Sequence, residues 1–218
     1  AEPPCARTRT LARLPARRYA ATGRAGSLIL GDTARPQGKT RAMAIDESRQ
    51  FQPINIAVLT VSDTRTEATD SSGDILAARV MGAGHHLAAR TIVPDDARLL
   101  AAQFEAWIAD PAIDAIVSTG GTGLTGRDVT PEALGLIEGA REIPGFGELF
   151  RWLSFKTIGT STIQSRACAV VARGTYIFAL PGSNGAVKDG WDGILAEQLD
   201  SRNRPCNFVE LMPRLREV

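Results

Sequence analysis

Residues Ile116–Leu134 read IVSTGGTGLTGRDVTPEAL. The stretch opens as an apolar strand and then carries four glycines within seven residues, Gly120, Gly121, Gly123 and Gly126. It closes on Arg127-Asp128, just before Thr130 and Pro131. Threonine is a capping type, and proline is pre-set for the first helical position. A short buried strand, a glycine-rich turn and a helix start together make half of a βαβ unit.

The same alternation extends on both sides. "NIAVLTVS" (Asn55–Ser62) is a continuous apolar run of the kind found in strands covered on both faces. A helix is predicted over Asp70–Gly84, capped by Ser71 or Ser72, with Ile75, Leu76, Val80 and Met81 as its apolar stripe. "HLAARTIV" is a second strand. Asp95–Asp110 reads as a second helix with Leu99, Leu100, Phe104, Trp107 and Ile108 facing inward. "IDAIVST" is the third strand, and residues 129–140 form the next helix. The spacing after Gly147 predicts another helix. Two short strands flank Arg173–Gly174, and residues 184–202 form a last helix. Strands alternating with helices imply an α/β fold with a mostly parallel sheet and helices on both faces.

The chain has 218 residues, 44% of them hydrophobic, and no apolar run near the ~20 residues of a membrane span. Cys5, Cys168 and Cys206 are far apart and form no CxxC pair, which disfavours a disulfide framework or zinc site and fits a cytoplasmic protein. The histidines are His85 and His86; neighbours on a strand point to opposite faces and do not readily share a metal. Residues 1–42 hold nine Arg/Lys against Glu2 and Asp32, a charge of +7, so the remainder carries −6 of the total +1. That leaves no basic stripe for nucleic acid. Segment 1–42 lacks periodicity and reads as a disordered basic extension, a transit-like peptide or sequence upstream of a start at Met43. The folded domain is expected over 43–218.

In open α/β sheets, ligands bind outside the carboxyl ends of the strands. Four loops qualify: "SDTRTEATDSSG", "VPDD", "STGGTGLTGRD" and "LPGSNG". Gly120, Gly121 and Gly123 let a ligand approach the backbone N–H groups, with Thr119 and Thr122 as hydroxyl donors. The spacing matches neither the P-loop nor the dinucleotide fingerprint. Asp95 and Asp128 each read as a helix cap, or together as oxygen ligands of a divalent cation. Ser62-Asp63 ends the first strand, and Ser71-Ser72-Gly73 opens a helix whose N-terminus either is capped in the ordinary way or accepts a phosphate. With no histidine near these loops, a Ser-His-Asp hydrolase is excluded in favour of a protein binding a phosphorylated ligand.

At these residues the chain resembles the MoaB/MogA family of molybdenum cofactor biosynthesis. The matches are "VLTVSDTR", "DSSG", "IVPDD", "STGGTGLTGRDVTPEA", "PGFGELFRWLSF", "GTSTIQSRA", "LPGSNGAV" and "RPCNF", spread over about residues 43–213. The resemblance implies a three-layer α/β/α fold that binds molybdopterin. It implies adenylylation of that molecule with Mg-ATP, with pyrophosphate released. By resemblance, Thr119, Gly120, Gly121, Thr122 and Gly123 hold the pterin end and phosphate. Pro181, Gly182 and Ser183 lie near the nucleotide, and Asp95 and Asp128 place Mg²⁺. Ser62, Asp63, Ser72, Gly73, Glu148, Ser165 and Arg166 complete the implied substrate-binding set. "LSF", "GTSTIQSRA" and "RPCNF" resemble the MoaB branch, some of whose members lose the acids and adenylylation; this chain keeps both acids. The alternative is a non-catalytic molybdopterin-binding or carrier protein of the same pathway. The branch also implies a homo-trimer or homo-hexamer, with other molybdenum cofactor enzymes as partners and no role for nucleic acid or membrane. Apolar residues of "FGELFRWLSF" are available for a subunit contact or for the core.

Overall fold

In the computed structural model, residues 45–217 are described. Segment 1–42, and Met43 as a start, lie outside them. Six strands form one sheet: β1 (Asn55–Val61), β2 (His86–Val93), β3 (Ala115–Thr119), β4 (Arg141–Glu142), β5 (Cys168–Ala172) and β6 (Thr175–Leu180). Their order is β2-β1-β3-β6-β5-β4. The first four in that order are parallel; β5 and β4 add antiparallel pairs at the far edge.

The alternation along β1 builds two cores. Ile56 and Val58 point to one face, where they meet Leu76 and Val80 of α1 (Ser71–Gly82), Phe146 and Phe150 of α4 (Pro144–Ile158), and Val187 of α5 (Asn184–Gly190). Ala57, Leu59 and Val61 point to the other, against Leu100, Phe104 and Ile108 of α2 (Ala97–Ala109) and Leu134 of α3 (Thr130–Gly135). The result is a three-layer α/β/α arrangement. Each isoleucine, valine or leucine among these core residues, once buried, contributes about 1.5–3 kcal/mol.

Several local expectations shift for identifiable reasons. Met81 and Leu99 are exposed, because each helix covers only one face of the sheet. Helix α3 ends at Gly135, before the expected 140, and the chain then turns into the two-residue strand β4, which only its register with β5 defines. Helix α4 starts at Pro144 rather than Gly147, with proline again in the first turn. Its Leu149, Trp152 and Phe155 are exposed, while Phe146 and Phe150 enter the core and Leu153 packs partly against it. After α5 the helix continues through a π turn over Trp191–Leu195 and ends at Gln198.

Helix α1 is capped by Asp70, not by Ser71 or Ser72. The Asp70 carboxylate is fully buried and accepts from the Gly73 N–H (3.0 Å), the Thr60 hydroxyl (2.7 Å), Arg90 (2.8 Å) and Arg65 (3.3 Å). Burial alone would raise its pKa. The hydrogen bonds from Arg90, Thr60 and Gly73, with the Arg90 charge, outweigh it and hold the group below its ordinary value. A folded pKa below the unfolded one gives stability that is present above the unfolded value and is lost as pH falls through the folded one. Asp70→Asn is therefore expected to lower stability by about 3 kcal/mol at neutral pH. Chemical denaturation as a function of pH should give a gap between variant and parent that narrows below about pH 4.

Candidate functional site

Strands β1, β2, β3 and β6 end level with one another. Thr60 stands opposite Ile92 on one side and Thr119 on the other, and Thr119 stands opposite Leu180. The loops after these strands therefore open at one edge. Ser62 N–H donates to Val93 O (3.0 Å), Gly120 N–H to Leu180 O (2.9 Å), and the Thr119 hydroxyl to Pro181 O (3.1 Å), which ties the loops together.

The loops enclose a cavity of about 450 Å³ lined by Thr60, Val61, Ser62, Arg65, Thr119, Gly120, Gly121, Thr122, Gly123, Asp128, Pro181, Gly182 and Ser183. Gly120 has φ +110°, and a Cβ there would collide with the Val61 carbonyl, so only glycine fits. The carbonyls of Gly120 and Gly121 accept from the Thr130 hydroxyl (2.9 Å) and the Thr130 N–H (2.9 Å). Thr130 is thus turned back into the loop instead of capping α3, whose N-cap is Val129 with no side-chain bond. Since the Gly120 N–H is committed to Leu180, it is withdrawn from the expected anion nest.

Asp95 is not the cap of α2; Asp96 is, accepting from the Arg98 and Leu99 N–H groups. Asp95 and Asp63 instead hold each other's backbone. Asp63 N–H donates to Asp95 Oδ2 (3.1 Å), and Asp95 N–H donates to Asp63 Oδ1 (3.0 Å). Arg127 forms an ion pair with Asp63. Asp128 Oδ2 accepts from the Thr125 N–H (2.8 Å) and hydroxyl (2.6 Å). Burial opposes the Asp128 charge, but the bonds from Thr125 and Gly123 and the nearby Arg166 hold its pKa below the ordinary value. Burial first, and then the negative field of Asp128, push Asp95 upward. Among the described residues no group of three or more His, Cys, Asp or Glu could hold a metal ion. A pair of acids suits a Mg²⁺ that arrives with phosphate oxygens of its own.

Of the other expected site residues, Ser72 and Gly73 are buried at the start of α1 and do not line the cavity. Asp70 already occupies that helix end with negative charge, and Arg65 bonds the Ser72 hydroxyl. Glu148 lines a separate cavity of about 510 Å³ beside α4 and β5. Ser165 borders both that cavity and a smaller one of about 210 Å³ that shares Thr122, Gly123, Pro181 and Ser183 with the main site. Arg166 acts from behind: its N–H donates to Thr122 O (2.8 Å), and its guanidinium bonds the carbonyls of Gly123 and Asp128 and the Glu132 carboxylate. Arg65, absent from the expected set, lines the main cavity. Its place two residues after Asp63, in a loop at the carboxyl edge, was the available signal. His85 is buried, with Nδ1 accepting from the Ile54 N–H, while His86 is exposed; neither is near the site.

The mutual influence of the acids is measurable. Asp128→Asn removes the like charge facing Asp95, so the Asp95 pKa should fall toward the ordinary carboxylate value. Side-chain carboxyl NMR titration checks this; an unmoved Asp95 would mean the two groups do not sense each other.

With that geometry established, comparison with known proteins identifies the family. Residues 57–201 match the family model described as "Probable molybdopterin binding domain". The chain is 52% identical over 161 residues to the molybdenum cofactor biosynthesis protein B of Escherichia coli K12, covering 74% of this chain and 94% of the relative. It is 42% identical to the protein of that name in Bacillus subtilis, covering 72% and 94%. A crystal structure of a molybdenum cofactor biosynthesis protein B superposes with a TM-score of 0.69 at 34% identity, over 78% of this chain and all of the other. The tungsten cofactor synthesizing protein MoaB of Pyrococcus furiosus superposes at 0.60 with 35% identity, over 76% and 99%. Matched along most of its length by sequence and by fold, the chain belongs to the MoaB/MogA family of molybdopterin-binding domains in molybdenum cofactor biosynthesis.

Proposed function

We propose that the chain adenylylates molybdopterin. The carrying observation is the glycine-lined cavity at the strand ends, with Asp128 in its lining and Asp95 outside it on the loop after β2, held there by Asp63. Like-charged carboxylates repel, and a divalent ion between them turns that repulsion into attraction. A Mg²⁺ carried by ATP would be held by Asp95 and Asp128 and would neutralise phosphate charge.

In this reading Thr119–Gly123 seats the pterin end and phosphate of molybdopterin, while Pro181, Gly182 and Ser183 face the nucleotide. An oxygen of the molybdopterin phosphate forms the new bond to the α-phosphorus of ATP. The bond from that phosphorus to the bridging oxygen breaks, and pyrophosphate leaves with the electron pair. The protein's share is alignment and charge compensation, which dominate phosphoryl and nucleotidyl transfer. Asp63 locks the Asp95 loop, and Arg166 locks the glycine loop.

One observation favours the non-catalytic binding or carrier reading. Asp128 Oδ2 is already engaged by Thr125, so a metal must share or displace those bonds. Incubation with molybdopterin and Mg-ATP separates the two readings. Adenylylated product and pyrophosphate are expected from the parent protein, with a loss of about 100-fold or more in Asp95→Asn and Asp128→Asn. Tight molybdopterin binding without product would leave the carrier reading.

A homo-trimer or homo-hexamer is part of the proposal. Its support is the exposed apolar row Leu149, Trp152, Phe155 and Ile158, which is 41–58% exposed. Light scattering should give a mass of three or six chains, reduced by Trp152→Glu; a single-chain mass would reject it. Other molybdenum cofactor enzymes are the partners this reading implies. No helix among the described residues is long and apolar enough to cross a membrane. A place in the reducing cytoplasm is part of the proposal, with the free thiols of Cys168 and Cys206 as its support.

A further inference from the structure

The site has two electrical sides. Asp128 lines one, with Asp95 and the Arg127-paired Asp63 outside the lining, and a phosphate approaching Asp128 without a metal meets repulsion. Among the described residues lining the main cavity, Arg65 is the one cationic side chain. Its guanidinium is fixed by three bonds, to Asp70 Oδ1 (3.3 Å), to the Ser72 hydroxyl and to the Gly182 carbonyl (3.0 Å). These use three of its five N–H donors. Asp70 does not cancel its charge alone, because Arg90 is the nearer guanidinium to that carboxylate, at 2.8 Å. The Arg65 side chain remains 29% exposed. The lining holds a second polar side chain that is incompletely bonded. Thr122, 1% exposed, lines this cavity, and its hydroxyl has no hydrogen-bond partner among the described residues. A buried hydroxyl without a partner is costly unless a ligand completes it.

We propose that Arg65 is the metal-independent anion contact of the site. It binds a phosphate through its charge and its two remaining N–H groups, and thereby sets which end of a phosphorylated ligand enters first. The proposal deepens the reading above and rests on the cavity taking a phosphorylated ligand, but it does not require transfer. The acids form the metal-dependent pole, and Arg65 forms the pole that works without metal. Arginine rather than lysine suits the position, because only a planar fork reaches Ser72, Asp70 and Gly182 while still presenting donors to the cavity.

Isothermal titration with inorganic pyrophosphate in EDTA, at low and moderate salt, tests this on the full chain. The parent is expected to bind and to weaken with salt. Arg65→Gln should bind at least tenfold more weakly with little salt dependence, and Arg65→Lys should recover part of the affinity and most of the salt dependence. Asp128→Asn should bind at least as tightly as the parent, since it loses a like charge. Thermal unfolding of the Arg65 variants should stay within a few degrees of the parent, because Asp70 keeps Arg90, Thr60 and Gly73. Absence of parent binding in EDTA overturns the proposal, as does parent-like affinity in Arg65→Gln. If Arg65→Gln fails to fold, Arg65→Lys decides: binding weaker than the parent's with most of its salt dependence supports the proposal, and loss of the salt dependence in a folded protein rejects it. Metal-free binding that needs Arg65, without any adenylylated product, would remove the transferase reading and keep this one. Undiminished product formation by Arg65→Gln would do the reverse.

Discussion

Everything polar in this molecule follows from the burial of β1, β3 and β6 on both faces. Their apolar side chains enter one core or the other, so the strands reach a ligand only at their carboxyl ends, through Thr60, Val61 and Thr119. Chemistry can emerge only where the strands stop, and they stop level. The glycine loop, the Asp95 turn and the Pro181–Ser183 turn are neighbours for that reason, although far apart in sequence.

At that edge the structure handles charge in two ways. Asp70 is taken into the interior and surrounded by donors until its ionised form is the stable one. Asp128 near the surface is likewise compensated, by Thr125, Gly123 and Arg166, whereas Asp95 is not: burial first, and then the charge of Asp128, shift it upward. The first arrangement is structural, joining α1 to β1 and β2. The second leaves an electrostatic demand that a cation can meet. Arg65 touches both, since it bonds the buried acid and lines the cavity.

The sequence announces the sheet because apolar runs of strand length leave little choice about where they go. The four candidate loops are equally legible, being the glycine-, serine- and aspartate-rich ends of those runs. Finer assignments depend on tertiary partners. Ser71 and Ser72 look like the natural caps of α1, but Asp70 can reach Gly73, Thr60 and two arginines at once and takes the position. Thr130 looks like a cap and instead serves Gly120 and Gly121. Strand β4 has two residues and no pattern of its own. Arg65 is absent from the expected set because nothing local reveals Gly182, 117 residues away in sequence. Glu148 and Arg166, suggested by resemblance, lie in another cavity wall and behind the loop, which spacing does not encode.

The hold of Arg166 on the glycine loop also bears on the order in which the molecule acquires its parts. Thr122, Gly123 and Asp128 present carbonyls that Arg166 satisfies, from just ahead of β5 and some forty residues further along the chain. During synthesis the loop is made well before the residue that fixes its shape. The first βαβ units can collapse through near neighbours, whereas the glycine turn must wait for a distant segment to close over it. The shape of the pocket thus depends on a segment made after the loop itself, as does the core, which takes Tyr176, Phe178 and Leu180 from β6.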